Sequence, residues 1–294
     1  MKNWIAWRPV ITLADKAELS IRAAAVLKEE IAEKTGFDLP ASNAYLAGRS
    51  NVVLCTRESF EGLGLYGERL SALPVPGPEG FSLFVVPEGG VERSVFIVGA
   101  DPRGVFFGMG KLLRLLFLKQ GQMLIDTAQK PFADTPKYPM RGQQLAYRDK
   151  QNTCPCWTQK EFDRYIRDLA LFGNNAIEIL PPRSDDNLFS RVFQVDPFEM
   201  MIDLSRIIHS YGLDVWLWYP NMGEDYEKPG TREEELLERE KIFSAIPYLD
   251  AVLIPAGDPG ELMPKLLFPV AEETSRVLHK HHPNATVWLA PQVF

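Results

Sequence analysis

The sequence predicts an α/β fold in two parts: a small N-terminal α+β domain, then an incomplete (β/α)8 barrel of about five strands. The first observation is that, after residue 140, apolar strand-like runs alternate with helical patterns of 10 to 15 residues. This alternation is typical of β/α units on a parallel sheet. The second observation is that Lys130 to Pro139, KPFADTPKYP, carries three prolines in ten residues. Such a segment is typical of a linker between domains.

The N-terminal domain is predicted over residues 1–126, because strands and helices mix there without strict alternation. Its clearest helix start is Asp101-Pro102, an N-cap residue followed by proline at the first helical position. This helix is predicted to run to about Lys119. The other predicted elements are an opening strand at 3–13, a helix from Asp15 to Lys34 ended by Gly36, and strands at 51–56, 81–86 and 94–98.

A linker is predicted over residues 127–140 and a partial barrel over 141–294. A closed (β/α)8 barrel takes about 250 residues, and far fewer follow the linker. We therefore expect a truncated barrel whose open edge favours self-association. The predicted strands are 143–147, 176–180, 214–219, 251–254 and 286–290. The predicted helices are 158–172 and 231–245, each opened by a capping box, with 196–211 and 266–281.

Charge and composition exclude several classes of function. The net charge of −7 argues against nucleic acid or an anionic membrane as the main partner. No apolar run reaches the ~18 residues of a membrane span, and Arg8-Pro9 interrupts the N-terminus too early for a secretory signal, which predicts a cytoplasmic protein. Cys154 and Cys156 lack a matching second pair, so we interpret them as free thiols and expect no metal. Neither dinucleotide-binding nor P-loop motifs occur, and no cofactor is expected.

The most informative stretch is Ala251 to Glu261, AVLIPAGDPGE. A short apolar strand is broken by proline and glycine, and two carboxylates, Asp258 and Glu261, lie on the break. Parallel barrels place their chemistry on the loops after the strands. The alternative is an ordinary loop in which Asp258 caps the helix that follows.

Three motifs resemble those of a known group of enzymes. The segment VGADPRGVFFG, residues 98–108, resembles the helix start that ends the small N-terminal domain of bacterial β-hexosaminidases and α-glucuronidases. YPMRG, residues 138–142, resembles the entry into their first barrel strand, and LALFGNNA, residues 169–176, is similar to the segment before their second. The order of the motifs is also the same. The chain thus resembles glycoside hydrolases of families 20 and 67.

This resemblance implies a glycosidase acting in carbohydrate metabolism on the O-glycosidic bond of an N-acetylhexosaminide or a uronide. It implies that Glu261 is the general acid, that Asp258 orients substrate or stabilises charge, and that Arg141 grips hydroxyls or a carboxylate. In family 20 the aspartate and glutamate are adjacent, whereas Pro259 and Gly260 separate them here. The alternatives are a non-catalytic carbohydrate-binding remnant and, for Arg141, a surface arginine between linker and barrel.

Aromatic and polar residues near the strand ends suggest a sugar pocket. Strand alternation places Trp216 and Trp218 on one face and Tyr219 at the rim, where aromatic rings stack on sugars. The alternative is that both tryptophans belong to the core. Tyr147 and Arg148 follow the first strand, and Asn221 follows the third. The predicted substrate-binding residues are therefore Arg141, Tyr147, Arg148, Trp218, Tyr219 and Asn221.

Overall fold

The computed structural model describes residues 2–150, 154–257, 259–260 and 262–291. Asp258 and Glu261, the predicted catalytic pair, lie outside the described residues. The chain divides into two compact units. The first contains Met1–Pro139 with Leu169–Gly173, and the second contains Met140–Asp168 with Asn174–Phe294. Within the described residues, every helix is too short or too polar to span a bilayer.

The first unit is built on a six-stranded mixed sheet and a separate three-stranded antiparallel sheet. The strands are β1 (Trp4–Ala6), β2 (Val10–Leu13), β3 (Ala41–Ser42), β4 (Asn51–Thr56), β5 (Phe81–Gly89), β6 (Glu92–Gly99), β7 (Phe117–Lys119), β8 (Gln122–Asp126) and β9 (Phe132–Asp134). The helices are α1 (Glu18–Thr35), α2 (Arg57–Leu63), α3 (Gly67–Ser71) and α4 (Pro102–Leu115). The larger sheet has the strand order β3-β2-β4-β6-β5-β9, and β1, β8 and β7 form the smaller one. In the larger sheet β3, β2, β4 and β6 are parallel, whereas β5 is antiparallel to both of its neighbours.

Both faces of the larger sheet are buried. Phe84 and Phe96 lie on neighbouring strands and stack with ring centroids 5.1 Å apart, and Phe60 from α2 meets Phe96 edge-on at 5.8 Å. On the other face α4 lies so close that a Cβ on Gly108 would be 2.5 Å from Cγ2 of Ile97. Glycine is needed at that position because any side chain would push the helix off the sheet.

The predicted start of α4 is confirmed. The Asp101 carboxylate accepts a hydrogen bond from the Gly104 N–H at 2.8 Å, and Pro102 is the first helical residue. The predicted N-cap of α1, Asp15, is wrong, because the N-cap residue is Ala17. Asp15 accepts from the Ala17 N–H at 3.1 Å and the Ser20 hydroxyl at 2.6 Å, but the helix begins at Glu18 after an N-cap without a side-chain bond.

Several short elements depart from the sequence prediction. The opening run forms two strands in different sheets, because Pro9 offers no N–H for continuous pairing. The helix predicted to reach Lys119 ends at Leu115, since Phe117 begins β7 and pairs with β8. Within the predicted linker, Phe132–Asp134 forms β9 and pairs with β5. Strands of three residues carry too little periodicity to be read from sequence.

The second unit contains one parallel sheet whose five strands follow chain order. The predicted alternation of strands and helices is confirmed over the described residues. The strands are β10 (Gly142–Gln144), β11 (Ala176–Ile179), β12 (Asp214–Trp218), β13 (Ala251–Pro255) and β14 (Thr286–Ala290). The helices are α5 (Gln159–Leu171), α6 (Pro197–Ser210), α7 (Pro229–Ala245) and α8 (Pro264–His281), with a short 3-10 helix at Cys154–Cys156.

Local hydrogen bonds explain where these helices begin. The Glu161 carboxylate accepts from the Thr158 N–H at 2.7 Å and from its hydroxyl at 3.0 Å, which forms the predicted capping pair of α5. Asp196 caps α6 by accepting from the Phe198 N–H at 2.9 Å. The predicted capping box at Thr231 is wrong, because α7 already begins at Pro229, where proline suits the first helical position.

Alternation along the strands gives the second sheet two different faces. Val215 and Leu217 are fully buried on one face, against which α6 packs along β11 and β12 and α8 packs along β14. We call the other face the open face. Its side chains are at least partly exposed to solvent, and they lie in register on neighbouring strands. They are Gln144, Glu178, Trp216, Trp218, Leu253 and Trp288.

Candidate functional site

The segments after β10 and β11 are joined side by side at the carboxyl end of the second sheet. Arg148 Nη1 lies 2.8 Å from Asp185 Oδ1, and the Lys150 N–H donates to Asp186 at 2.6 Å. Asn187 donates to the Asp149 carboxylate at 2.9 Å. Hydrogen bonds to Asp149, from Ser190 first, lower the pKa of that carboxyl. The predicted rim residue Arg148 is thus part of a fixed, charged edge beside the strand ends.

Tyr147 was predicted to contact substrate, which stays a prediction, and in the structure its hydroxyl is bonded to a neighbouring segment. Its side chain is buried, and its hydroxyl accepts from the Gln194 N–H at 2.8 Å and donates to the Val195 carbonyl at 3.1 Å. These bonds hold the segment that leads into α6. The sequence prediction missed this because the partner segment carries no recognisable motif.

Tyr219 and Asn221 were also predicted at an accessible rim, and the structure buries both to 1% exposure. Tyr219 follows the alternation of Val215 and Leu217 and therefore lies on the helix-covered side, with its ring edge-on to Phe243 of α7 at 6.0 Å. Burial raises the pKa of the Tyr219 phenol well above its usual value. The predicted accessible position of both residues is thereby corrected, and their contact with substrate stays a prediction.

Arg239 of α7 is the centre of a buried network at this strand end. It is fully buried, and its guanidinium donates to Asn221 Oδ1 at 2.7 Å and to Thr274 Oγ1 at 2.9 Å. The same guanidinium lies 4.5 Å from the centre of the Tyr219 ring. Arg183, which follows β11, joins the network through an ion pair with Glu235 of α7.

Four buried polar atoms in this network have no hydrogen-bond partner in the described structure: Tyr219 Oη, Asn221 Nδ2, Glu235 Oε2 and Arg239 Nε. Unpaired buried polar atoms are uncommon in native proteins, and they gather at functional sites or beside buried water. We call this set with Arg183 and Thr274 the Arg239 network.

Gly260 connects the Arg239 network to the loop after β13. Its φ angle is +113°, and a Cβ there would lie 2.8 Å from the Asn221 carbonyl oxygen. The loop therefore passes directly over the end of β12, at a point where only glycine fits. The same loop carries Asp258 and Glu261, which lie outside the described residues.

The open face forms a cleft of about 370 Å³. Within it, Gln144 Nε2 donates to Glu178 Oε2 at 2.8 Å. Burial raises the pKa of Glu178, and the hydrogen bond from Gln144 acts in the opposite direction. The cleft is lined by Met140, Gly142, Gln143, Gln144, Ala176, Glu178, Trp216 and Leu253.

Two tryptophans on neighbouring parts of the open face form an aromatic surface. The rings of Trp216 and Trp288 are 5.2 Å apart and tilted by 42°, and Trp288 is 48% exposed. Trp218 lies in register with Leu253 and is half-buried on the same face. The predicted placement of Trp216 and Trp218 on one face therefore holds in the structure.

Arg141 lies at the other end of the first strand. It immediately precedes β10, its N–H donates to Asn175 Oδ1 at 2.8 Å, and its carbonyl accepts from the Asn175 N–H at 2.9 Å. The residue is thus at the amino edge of the sheet, whereas Arg148 is beyond the carboxyl edge. The role of Arg141 in substrate binding stays a prediction.

Sequence reasoning missed Glu178 and Arg239. A signal for Glu178 was present, because a single carboxylate interrupts the apolar run of β11, AIEI. The signal for Arg239 was weaker. Arg239 follows Glu235 by four residues, and the same spacing is common among solvent-exposed ion pairs on helices. Only the tertiary structure shows that this particular pair is buried.

Comparison with known proteins gives the class of fold. No protein-family model matches the sequence, and no curated protein matches it. Solved structures do match. The chain superposes on the family 20 β-N-acetylhexosaminidase of Streptomyces coelicolor A3(2) with a TM-score of 0.72 at 15% identity, over 98% of this chain and 63% of that one. The exo-β-N-acetylglucosaminidase of Vibrio harveyi gives 0.65 at 14% identity, over 98% and 52%.

A third match, the chitobiase of Flavobacterium johnsoniae, gives a TM-score of 0.64 at 12% identity, over 98% of this chain and 51% of that one. The chain therefore has an α/β fold of the glycosidase type. More particularly, its fold is like that of glycoside hydrolase family 20, as the sequence motifs indicated. It spans between about half and 63% of the length of these enzymes.

Proposed function

We propose that this chain is a glycoside hydrolase that cleaves O-glycosidic bonds by carboxylate acid catalysis. The proposed substrate is an N-acetylhexosaminide or a uronide. The observation that carries this proposal is the family 20 fold over 98% of the chain, combined with two carboxylates placed directly after β13 in the sequence. In this proposal the second sheet supplies the first five strands of a (β/α)8 barrel.

The proposed chemistry assigns the two acids different roles. Glu261 protonates the leaving-group oxygen, and Asp258 orients the substrate or stabilises the positive charge that develops on the sugar. The Arg239 network supports this arrangement because Asn221, which Arg239 holds, lies against the same loop at Gly260. Arg239 therefore has a positioning role and does not contact substrate.

The open face supplies the sugar-binding surface in this proposal. The ring of Trp216, together with Trp288 and Trp218, offers an apolar platform for the face of a pyranose ring. Glu178 and Gln144 offer hydrogen-bonding groups beside that platform. Burial raises the pKa of Glu178, and its carboxyl oxygens offer acceptors to sugar hydroxyls.

The test is release of 4-nitrophenol from a panel of nitrophenyl glycosides, including N-acetylhexosaminides and glucuronides. We expect turnover by the full chain and its loss by a factor of at least about 100 in Glu261→Gln. The matched control is Glu234→Gln, which makes the same change at an exposed position on α7. Equal rates in both variants would refute Glu261 as the acid.

A second candidate is a carbohydrate-binding protein without catalysis. The observation that favours it is the separation of Asp258 and Glu261 by Pro259 and Gly260, where family 20 has adjacent acids. Saturable sugar binding that Trp216→Ala weakens, with no turnover on any glycoside of the panel, would support this candidate. The cytoplasmic location and the self-association through a free sheet edge remain proposals, and sedimentation analysis tests the latter.

A further inference from the structure

The first unit contains its own cleft, which the proposed glycosidase chemistry does not use. Its volume is about 180 Å³, and it lies at the carboxyl ends of β4 and β6, which are parallel neighbours. In open α/β sheets, ligands bind outside the carboxyl ends of the strands. The lining residues are Arg57, Leu70, Val75, Pro76, Ser82, Val98, Gly99 and Ala100.

One residue that lines this cleft, Ser82, carries a buried hydroxyl without a hydrogen-bond partner. Ser82 is 1% exposed, and its Oγ makes no hydrogen bond in the described structure. Ser82 pairs with Val98 across β5 and β6, so the two side chains lie on the same face of the sheet, and both line the cleft. A buried hydroxyl left without a partner is unfavourable, and a ligand oxygen in the cleft would satisfy it.

Arg57 is the one charged side chain among the residues described as lining the cleft. Its only ion pair in the described chain is with Glu61 at 3.6 Å, and the glutamate side chain is 70% exposed. This exposed pair within one helix is weak and leaves most of the guanidinium donors available. The remaining walls are mainly apolar, and Val75 at the rim is 72% exposed.

We propose that this cleft binds a small organic carboxylate with an apolar body. Arg57 provides the paired donors that suit a carboxylate, and the Ser82 hydroxyl donates to one of its oxygens. The apolar body packs on Leu70, Val75 and Val98. Bare phosphate or sulfate fits less well, because an inorganic anion would leave these apolar walls in contact with a charge.

The test uses the full chain labelled with ¹⁵N and titrated with cyclohexanecarboxylate, followed by the amide signals of Gly99 and Ala100. Cyclohexanecarboxamide is the neutral ligand of matched shape, and inorganic phosphate is the anion without an apolar body. We expect saturable shifts with the carboxylate and affinity at least about tenfold lower for the other two ligands.

Three variants distinguish binding in the cleft from a non-specific effect of the protein's positive charges. Arg57→Gln is expected to weaken carboxylate binding about tenfold, and Ser82→Ala severalfold, without loss of folding, since the hydroxyl makes no native bond. Arg49→Gln is the control, because this exposed arginine lies beyond the opposite end of β4.

The proposal is overturned if the carboxylate gives no saturable shifts, if the carboxamide binds equally well, or if Arg57→Gln and Arg49→Gln bind alike. Phosphate binding tighter than the carboxylate would also overturn it. None of these outcomes depends on glycosidase activity.

Discussion

The two main sheets of this chain contrast in how they use their faces. The sheet of the first unit is covered on both sides, and β4, NVVLCT, has an apolar centre and five of its six residues buried. The sheet of the second unit alternates: Val215 and Leu217 are fully buried, whereas Trp216 and Trp218 are only partly buried. The comparison shows that the first sheet buries both of its faces, whereas the second sheet leaves one face partly exposed to solvent.

Buried polar groups differ in a similar way, apart from Ser82 at the cleft of the first unit, whose hydroxyl has no hydrogen-bond partner in the described structure. In the first sheet Asn51 is completely bonded: its amide donates to the carbonyls of Leu46 at 3.0 Å and Arg49 at 2.7 Å, and its oxygen accepts from Thr12 at 3.1 Å. In the second unit the Arg239 network leaves four buried atoms unbonded. Full bonding is what stability requires, and incomplete bonding is more typical of a functional site.

The largest expected difference is between aromatic truncations in the two sheets. Phe96→Ala should lower the free energy of unfolding by about 3–5 kcal/mol, because Phe96 is fully buried between Phe84 and Phe60. Trp216→Ala on the open face should cost roughly 1 kcal/mol, because the Trp216 side chain is only partly buried and its loss removes less buried apolar surface than the loss of Phe96. Urea denaturation measures both. Equal losses would contradict the assignment of different roles to the two sheets.

The next effect concerns the buried arginine. Arg239→Met should destabilise the chain by about 3–5 kcal/mol, because it removes the buried donor to Asn221 and Thr274 and leaves Glu235 with Arg183 as its remaining partner in the network. The matched control is Arg206→Met, whose side chain is 58% exposed and pairs with Asp203, and its loss should be about 0–1 kcal/mol. Denaturant midpoints compare the two, and a loss in Arg239→Met no greater than in the control would rule out a structural network.

A smaller effect is expected at the loop over β12. Gly260→Ala places a Cβ at positive φ and 2.8 Å from the Asn221 carbonyl oxygen, which should cost about 1–3 kcal/mol. The control is Gly89→Ala. Gly89 also has a positive φ, +107°, but no atom lies within 4 Å of the new Cβ, so this variant measures the backbone strain alone. Thermal unfolding should show Gly260→Ala as the more destabilised variant. The reverse order would show that the loop does not rest on Asn221.

The smallest effect concerns Glu178. Because its pKa is raised in the folded chain, the folded state disfavours the charged form. The wild-type chain should therefore lose stability, relative to Glu178→Gln, as pH rises from the ordinary glutamate pKa through the folded one. Below that window the two should differ by a constant amount. Urea midpoints between about pH 4 and 8 measure this, and a pH-independent difference would argue against burial of the carboxyl.

The long periodic elements of this fold were predictable from sequence. The run Asn51–Thr56 and the strand Asp214–Trp218 carry strong local patterns, and Asp101 and Asp196 mark helix starts by their capping side chains. The short strands were not predictable, because β9 is held by pairing with a distant strand and not by its own composition.

The candidate site was predictable only in part. Alternation along β12 correctly placed Trp216 and Trp218 on one face. The same rule, applied to Tyr219, should have placed it with Leu217, yet its position after the strand suggested an accessible rim. Arg239 could not be found, since burial of a helical arginine depends on which helices and strand ends surround it. Tertiary packing, and not local pattern, decides such residues.

The most direct test of a sugar site on the open face uses the six tryptophans of the chain as probes. Their indole N–H signals are recorded in ¹H–¹⁵N spectra during titration with N-acetylglucosamine and with glucuronate, after assignment by Trp→Phe variants. We predict that the signals of Trp216, Trp218 and Trp288 shift and saturate, while that of Trp7, buried in the first unit and bonded to the Arg93 carbonyl at 2.8 Å, does not move. Unchanged signals from the three open-face tryptophans with both sugars would contradict the account.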